Sequence, residues 1–210
     1  MSDSPPTVHV VDDDDSFRES LARLLRATGH RVEAYRSGED FLARARPGPG
    51  CVLLDVQMPG PTGLELQRAL AERNLGLPIV FLTGHGDIPM SVRAMRAGAE
   101  DFLTKPVAMP QLLDAVSRAL ARDAAGREAQ EHLAQLRARY ETLTPAERRI
   151  FAMVVTGMLN KQIAYDLGRA ERTVKAHRSQ VMLKMKADSV ADLVRMADEL
   201  GISAQTPPAG

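Results

Sequence analysis

Cys51-Val52-Leu53-Leu54-Asp55 is an apolar run closed by a single carboxylate, and Val56-Gln57-Met58-Pro59-Gly60 follows it. A continuous apolar run of this length reads as a strand covered on both faces, the kind that parallel sheets contain. A charged residue at its end then falls on the rim of such a sheet. Cys51, inside the run, reads as a small core residue rather than a nucleophile.

Outward from this strand, strand and helix signals alternate. Upstream, Thr7–Val11 is a β-branched strand, and Ser16 with Glu19 forms a capping-box pattern ahead of Phe17, Leu21, Leu24 and Leu25 at helical spacing. Arg31–Tyr35 is a strand and Gly38–Arg44 a short helix. Downstream come a helix over Thr62–Arg73, a strand over Pro78–Leu82, a helix over Ile88–Ala97, a strand over Asp101–Thr104 and a helix over Met109–Arg122. Five strands alternating with five helices predict an α/β domain over 7–122, a doubly wound five-stranded parallel sheet. Its ligand site belongs at the carboxyl ends of the strands.

That rule gathers residues distant in sequence. Asp12 and Asp13 follow the first strand, Asp55 ends the third, and Thr83 and Lys105 follow the fourth and fifth. Carboxylates brought together repel, and a cation must neutralise them. Oxygen ligands at an exposed rim suit Mg²⁺, which keeps several waters and works beside phosphate. An aspartate there can attack a phosphoryl group, and a lysine and a threonine hydroxyl can stabilise the remaining oxygens. Asp14 and Asp15 read as helix-start residues favoured by the helix dipole.

The pattern changes near residue 123. Asp123–Thr142 is rich in Ala, Glu, Arg and Gln and carries no strand signal, so 123–142 is expected to be a helical linker. Leu133, Leu136, Tyr140 and Leu143 form a 3-4-3 seam that fits either a partner helix or packing on its own chain. Beyond it, 143–202 reads as four helices: Pro145–Thr156 capped by Thr144, Asn160–Leu167 stopped by Gly168, roughly Glu171–Met185, and Ser189–Leu200 stopped by Gly201. Residues 1–6 and 203–210 are expected to be disordered ends.

Charge separates the two halves although the whole chain is neutral, with 27 basic and 27 acidic residues. Lys161–Lys186 holds seven basic residues against two acidic. Such a stretch is either the footprint of a phosphate-backbone binder or a solvated helix face. A single cysteine fits a reducing compartment. With no long apolar run and no signal-peptide pattern, the expected location is the cytoplasm, away from membranes.

Four blocks carry a family resemblance: Val10-Val11-Asp12-Asp13, Leu54-Asp55-Val56-Gln57-Met58-Pro59-Gly60, Leu82-Thr83-Gly84-His85-Gly86-Asp87 and Asp101-Phe102-Leu103-Thr104-Lys105-Pro106. Together they resemble the receiver domain of response regulators, a flavodoxin-like fold. The resemblance implies that Asp55 is the phosphoacceptor. It also implies that Asp12, Asp13, Asp55 and the Gln57 carbonyl hold Mg²⁺, and that Thr83 and Lys105 contact the phosphoryl group. Phe102 matches an aromatic switch position and fits plain core equally well. Lys105-Pro106 matches the family's cis peptide, and His85 fits a loop or partner contact.

Leu143-Thr144-Pro145-Ala146-Glu147-Arg148, Gly157-Met158-Leu159-Asn160-Lys161-Gln162-Ile163-Ala164, Thr173-Val174-Lys175-Ala176-His177 and Lys184-Met185 resemble the LuxR-type helix-turn-helix of FixJ/NarL-type regulators. Asn160–Leu167 would then support a recognition helix, Glu171–Met185, in the major groove. Ile163, Ala164, Leu167, Val174 and Val181 form its packing stripe. Asn160, Lys161 and Thr173, at helix starts, are placed to meet phosphate. Lys175, Ala176, Arg178 and Ser179 face the groove, Arg178 toward either guanine or phosphate. His177 fits a phosphate contact or packing beneath the helix. Arg169-Ala170 departs from the family by lacking a capping side chain before the recognition helix.

The combined expectation is a DNA-binding transcriptional regulator of a two-component system. A sensor histidine kinase is its phosphodonor and double-stranded DNA its target, with two half-sites read by a phosphorylated homodimer and RNA polymerase as a further candidate partner. Its chemistry is confined to its own phosphoryl transfer and dephosphorylation. Two rival readings are a Mg²⁺-dependent phosphatase acting on an outside substrate and a phosphorylation-independent DNA binder with a vestigial receiver. Turnover beyond one equivalent would favour the first, and indifference of operator affinity to Asp55→Asn the second.

Overall fold

The computed structural model describes residues 5–46, 48–73, 75–84 and 88–202. The expected disorder at 1–4 and 203–210, and the position of His85, lie outside these residues. The chain divides into two compact units, Met1–Arg127 and Glu128–Gly210.

In the first unit, strands β1 (Thr7–Val11), β2 (Arg31–Tyr35), β3 (Gly50–Asp55), β4 (Ile79–Thr83) and β5 (Asp101–Thr104) alternate with α1 (Asp15–Ala27), α2 (Gly38–Arg44), α3 (Gly63–Glu72), α4 (Ile88–Arg96) and the start of α5 (Met109–Glu141), which continues into the second. The sheet is wholly parallel, in the order β2-β1-β3-β4-β5. The order reverses direction between β1 and β3, which is where open α/β sheets place their ligands.

Residue alternation divides the core. Val8, Val10, Cys51, Leu53, Val80 and Leu82 pack against Leu21, Leu25, Leu112 and Val116 on one face. Val11, Val52, Leu54, Ile79 and Phe81 pack against Phe41, Leu66, Leu70 and Ala94 on the other. Burial pushes the Cys51 thiol up to about 12, in keeping with a core role.

Two expectations about helices are corrected. The cap of α1 is Asp14, whose carboxylate accepts from the Phe17 amide at 3.1 Å, so the helix opens before the Ser16–Glu19 pattern can cap it. α5 does not end at Arg122 before a separate linker but runs unbroken from Met109 to Glu141. The shift to an Ala-, Glu- and Arg-rich composition at 123 marks a change of surroundings within one helix, because those residues are all good helix formers.

In the second unit, α6 (Pro145–Val155), α7 (Asn160–Leu167), α8 (Glu171–Met185) and α9 (Val190–Glu199) follow the end of α5. Thr144 and Glu147 form a reciprocal capping box at α6, and Ser189 and Asp192 do so at α9. Gly168 ends α7 with φ 59°, a left-handed backbone that a side chain would strain. Leu136 and Leu143 are buried, and Tyr140 meets Phe151 edge-on with centroids 5.4 Å apart. The 3-4-3 seam therefore packs on its own chain. Ile163, Ala164, Val174 and Val181 are buried as expected, with Leu167 against them.

Candidate functional site: a carboxylate pocket and a helix-turn-helix surface

The first site lies at the carboxyl ends of β1 and β3. Because neighbouring strands are parallel and in register, Val11 lies beside Leu54, and Asp55 beside Leu82. Asp12, directly after β1, and Asp55, at the end of β3, are buried, while Asp13 is exposed. Carboxylate oxygens of all three lie within 4.8 Å of one another. Lys105, one residue beyond β5, places Nζ 2.6 Å from Asp12 Oδ2 and 3.0 Å from Asp55 Oδ2. The Lys105-Pro106 bond is cis. Thr83 is fully buried at the end of β4. The Gln57 amide donates to Asp55 Oδ1 at 3.3 Å.

Electrostatics agree with the geometry. Burial raises the Asp12 carboxyl above its ordinary range, against the opposing pull of its hydrogen bond to Lys105. Burial also works to lower the Lys105 ammonium, but its hydrogen bonds to Asp12 and Asp55 carry it above its ordinary value. Lys105 is thus a cation held between two carboxylates. Three clustered carboxylates with one lysine still carry net negative charge, and this all-oxygen donor set fits a small hard divalent cation.

Several supporting contacts escaped sequence reasoning. The Phe17 ring lies 4.2 Å from Lys105 Nζ and offers it a cation–π face. Arg18 Nη1 donates to the Asp12 carbonyl at 2.7 Å, and the Asp14 amide donates to Asp12 Oδ1 at 3.0 Å. The only sequence signal for Phe17 was helical spacing, which marks it as apolar and no more. Gly63 opens α3 directly behind Asp55, where an added Cβ would come within 2.5 Å of the Asp55 carbonyl oxygen. Phe102 is not among the carboxylates. It is partly buried and faces Phe81 with centroids 6.2 Å apart.

The second site is the α7–α8 pair. Lys161, Thr173, Lys175, Ala176 and Ser179 are exposed, while Asn160, His177 and Arg178 are half-buried. Asn160 and Arg178 are joined, Arg178 Nη1 donating to Asn160 Oδ1 at 2.9 Å. A recess beside them is lined by Lys175, Ser179, Met182 and Asp188. Ala170, the residue before α8, supplies no capping side chain. Deeper in this unit, Lys184 Nζ donates to Glu147 Oε2 at 2.6 Å and ties α8 to the start of α6. That hydrogen bond holds the Glu147 carboxyl below its ordinary range.

Comparison with known proteins identifies the families of both domains. Residues 8–117 match the response regulator receiver domain, and residues 141–197 match the bacterial regulatory proteins of the luxR family. The chain is a response regulator. Nodulation protein W of Bradyrhizobium diazoefficiens is 51% identical over 198 residues, covering 94% of this chain and 87% of that protein. Transcriptional regulatory protein FixJ of Rhizobium meliloti is 44% identical over 192 residues, covering 91% and 94%. Among solved structures, response regulator StyR matches with TM-score 0.84 and 47% identity over 93% of this chain and all of that one. Full-length FixJ from B. japonicum matches with TM-score 0.57 and 35% identity over 94% and 98%.

As a response regulator with a LuxR-type helix-turn-helix, the protein is a transcriptional regulator of a two-component system. The receiver implies a histidine kinase partner, and the second domain implies DNA binding. Receiver domains bind Mg²⁺ at an acidic pocket, and the Asp12, Asp13 and Asp55 cluster occupies that place. Among the described residues, no helix is long and apolar enough to cross a membrane.

Proposed function

We propose that Asp55 takes a phosphoryl group from the phosphohistidine of a sensor kinase and that this modification raises the protein's affinity for DNA. The observation that carries the reading is Lys105, whose ammonium reaches Asp12 and Asp55 together at the sheet's switch point. A carboxylate oxygen of Asp55 attacks phosphorus. The new O–P bond forms as the N–P bond to the kinase histidine breaks, and the imidazole leaves and takes up a proton from solvent. Lys105 then pairs with a phosphoryl oxygen, and the Thr83 hydroxyl donates to another.

Asp12, Asp13, Asp55 and the Gln57 carbonyl would hold Mg²⁺, which when bound neutralises the charge gathering on the phosphoryl oxygens. The chemistry stays confined to the protein's own phosphorylation and dephosphorylation. Modification adds about −1.5 to −2 charges, and Thr83 and Phe102 are the moving parts that report it.

The readout face comprises α4, β5 and α5. Val92, Met95 and Met109 there are 42%, 46% and 50% exposed, an apolar surface suited to pairing two phosphorylated copies. A symmetric dimer presents two α8 helices to two half-sites in operator DNA, with Lys161, Thr173 and His177 on phosphates and Lys175, Ala176, Arg178 and Ser179 toward base edges. The bound dimer is the form that would engage RNA polymerase in the cytoplasm.

Selection from a random duplex pool by the full chain, with and without Mg²⁺ and beryllofluoride, tests the reading. The expected result is a motif of two spaced half-sites enriched in the activated arm. Equal enrichment in both arms would remove the switch, and none in either would remove the DNA-binding role.

A further inference from the structure

We propose that Asn160 is a positioning residue for Arg178 and makes no phosphate contact of its own. It would act by fixing one edge of the guanidinium so that the other is presented to DNA as a bidentate donor. The proposal rests on the DNA-binding reading above and assigns a division of labour within it.

The two residues lie on different helices, 18 positions apart. Asn160 is the first residue of α7, and Arg178 sits in the middle of α8. Arg178 Nη1 donates to Asn160 Oδ1 at 2.9 Å, and both side chains are half-buried. Among the described residues, this is the protein contact that the Arg178 guanidinium makes. A guanidinium has five N–H donors in a planar fork, so donors remain after one is engaged. The Asn160 carbonyl oxygen is spent on Arg178 and accepts rather than donates there. The amide is thereby oriented by a partner inside the protein, its carbonyl oxygen turned to Arg178.

Neighbouring residues fit the same picture. Lys175 and Ser179 are exposed one helical turn apart on α8 and line the recess beside the pair. The Ser179 hydroxyl donates to the Lys175 carbonyl at 3.0 Å, so its oxygen remains free to accept. Asp188 also lines the recess, and its carboxylate disfavours a second anion there. An unrestrained arginine loses much rotamer entropy when it binds. A guanidinium already held at one edge loses less, and preorganisation of that kind raises affinity without a new contact to DNA.

The fork would fit either of two acceptor pairs in DNA, the O6/N7 edge of guanine or two oxygens of one phosphate. These differ in consequence. A guanine contact adds sequence preference, while a phosphate contact adds salt dependence without preference.

A double-mutant cycle on the full chain tests the proposal. The probe is the duplex that wild type enriches from a random pool in the presence of Mg²⁺ and beryllofluoride. Affinities are measured for wild type, Asn160→Ala, Arg178→Ala and the double variant, with melting curves confirming that each is folded. The expected result is that Asn160→Ala weakens binding about 5- to 10-fold in wild type and about 2-fold or less in the Arg178→Ala background, as coupled neighbours do. Equal losses in both backgrounds would overturn the proposal, because Asn160 would then contact DNA by itself. No loss from Asn160→Ala in wild type would overturn it equally.

Replacing each guanine of the duplex by 7-deazaguanine, and titrating salt, separates the two acceptor pairs. Loss of the Arg178 contribution at one guanine places the fork on a base, and a salt slope lowered by about 1 in Arg178→Ala places it on phosphate. If wild type enriches no duplex at all, the DNA-binding reading fails and takes this inference with it. Enrichment with additive losses sinks this inference alone.

Discussion

In the receiver unit most of the functional polar groups are withdrawn from water: Asp12, Asp55 and Thr83 are buried and Lys105 is held between two carboxylates, while Asp13 stands at the exposed edge. In the helical unit Lys161, Thr173 and Lys175 stand out exposed, and Arg178 is restrained by the Asn160 side chain. The difference follows from what each must meet. A phosphoryl group is small and must be surrounded, so its partners converge from four strand ends. A DNA duplex is large and must be laid against, so its partners spread over one helix face. Buried polar groups cost free energy unless partnered, and Lys105 accordingly bonds both buried carboxylates. The helical unit is stabilised instead by apolar packing, by its capping boxes and by the Lys184–Glu147 ion pair.

That contrast can be broken most directly at Asp55. Asp55→Asn is expected to abolish phosphoryl incorporation from a small phosphodonor, read by intact mass spectrometry, while melting of the helical unit stays unchanged. Incorporation at the wild-type level would place the acceptor elsewhere.

A second expectation concerns Asp123, whose carboxylate is buried. It accepts from the Gly50 amide at 2.9 Å and from Arg127 Nε at 2.8 Å, while Arg127 also reaches the Gly48 carbonyl. This anchors α5 beneath the start of β3, at the end of the sheet opposite the carboxylates. Asp123→Ala is expected to cost the receiver about 3 kcal/mol in denaturant unfolding, since it strands a buried donor and an arginine. Exchange of the Gly50 amide should quicken as well.

Glu147→Gln should cost the helical unit somewhat less, about 2 kcal/mol. The pH dependence carries its own sign. The Glu147 carboxyl lies below its ordinary 4.5 because Lys184 donates to it. Its stabilisation is therefore complete above that value and lost as pH falls through the folded-state value. His9 acts in the receiver, at higher pH. Burial lowers the imidazole below 6.5, with Glu33 opposing and Arg31 assisting. The unfolded chain then binds the proton more readily, and the receiver should lose stability as pH drops below 6.5. Hydrogen exchange across a pH series should show the receiver loosening first on acidification, and His9→Gln should remove that early loss.

The smallest effect is a gain. α8 begins after Ala170 with no side-chain cap, so Ala170→Ser should stabilise the helical unit by about 1 kcal/mol. A thermal melt that does not move would mean that the first turn of α8 needs no cap.

The receiver pocket was legible because strand periodicity fixes where strands end, and a parallel sheet sends those ends to one rim. Asp12, Asp55, Thr83 and Lys105 could be gathered by that rule alone. The bounds of α7 and α8 were legible from Gly168 and the spacing of Val174 and Val181. Contacts that depend on how elements lie in space were not. Phe17 looked like core until Lys105 was found against its ring, and Asp123 looked like one acid in an Ala-rich run. The Asn160–Arg178 bond joins two helices across 18 residues, and no local pattern encodes it. The continuity of α5 was not legible because a change of composition resembled a boundary, although Gly126 is the one strong helix breaker between 123 and 141.

The central claim is that phosphate at Asp55 controls DNA binding. Its most direct measurement is the affinity of the wild-type chain and Asp55→Asn for the selected duplex, each with and without Mg²⁺ and beryllofluoride. The expected result is that wild type binds at least about 10-fold more tightly when activated, a coupling of about 1.4 kcal/mol, while Asp55→Asn does not respond. Equal affinity in all four conditions would contradict the account.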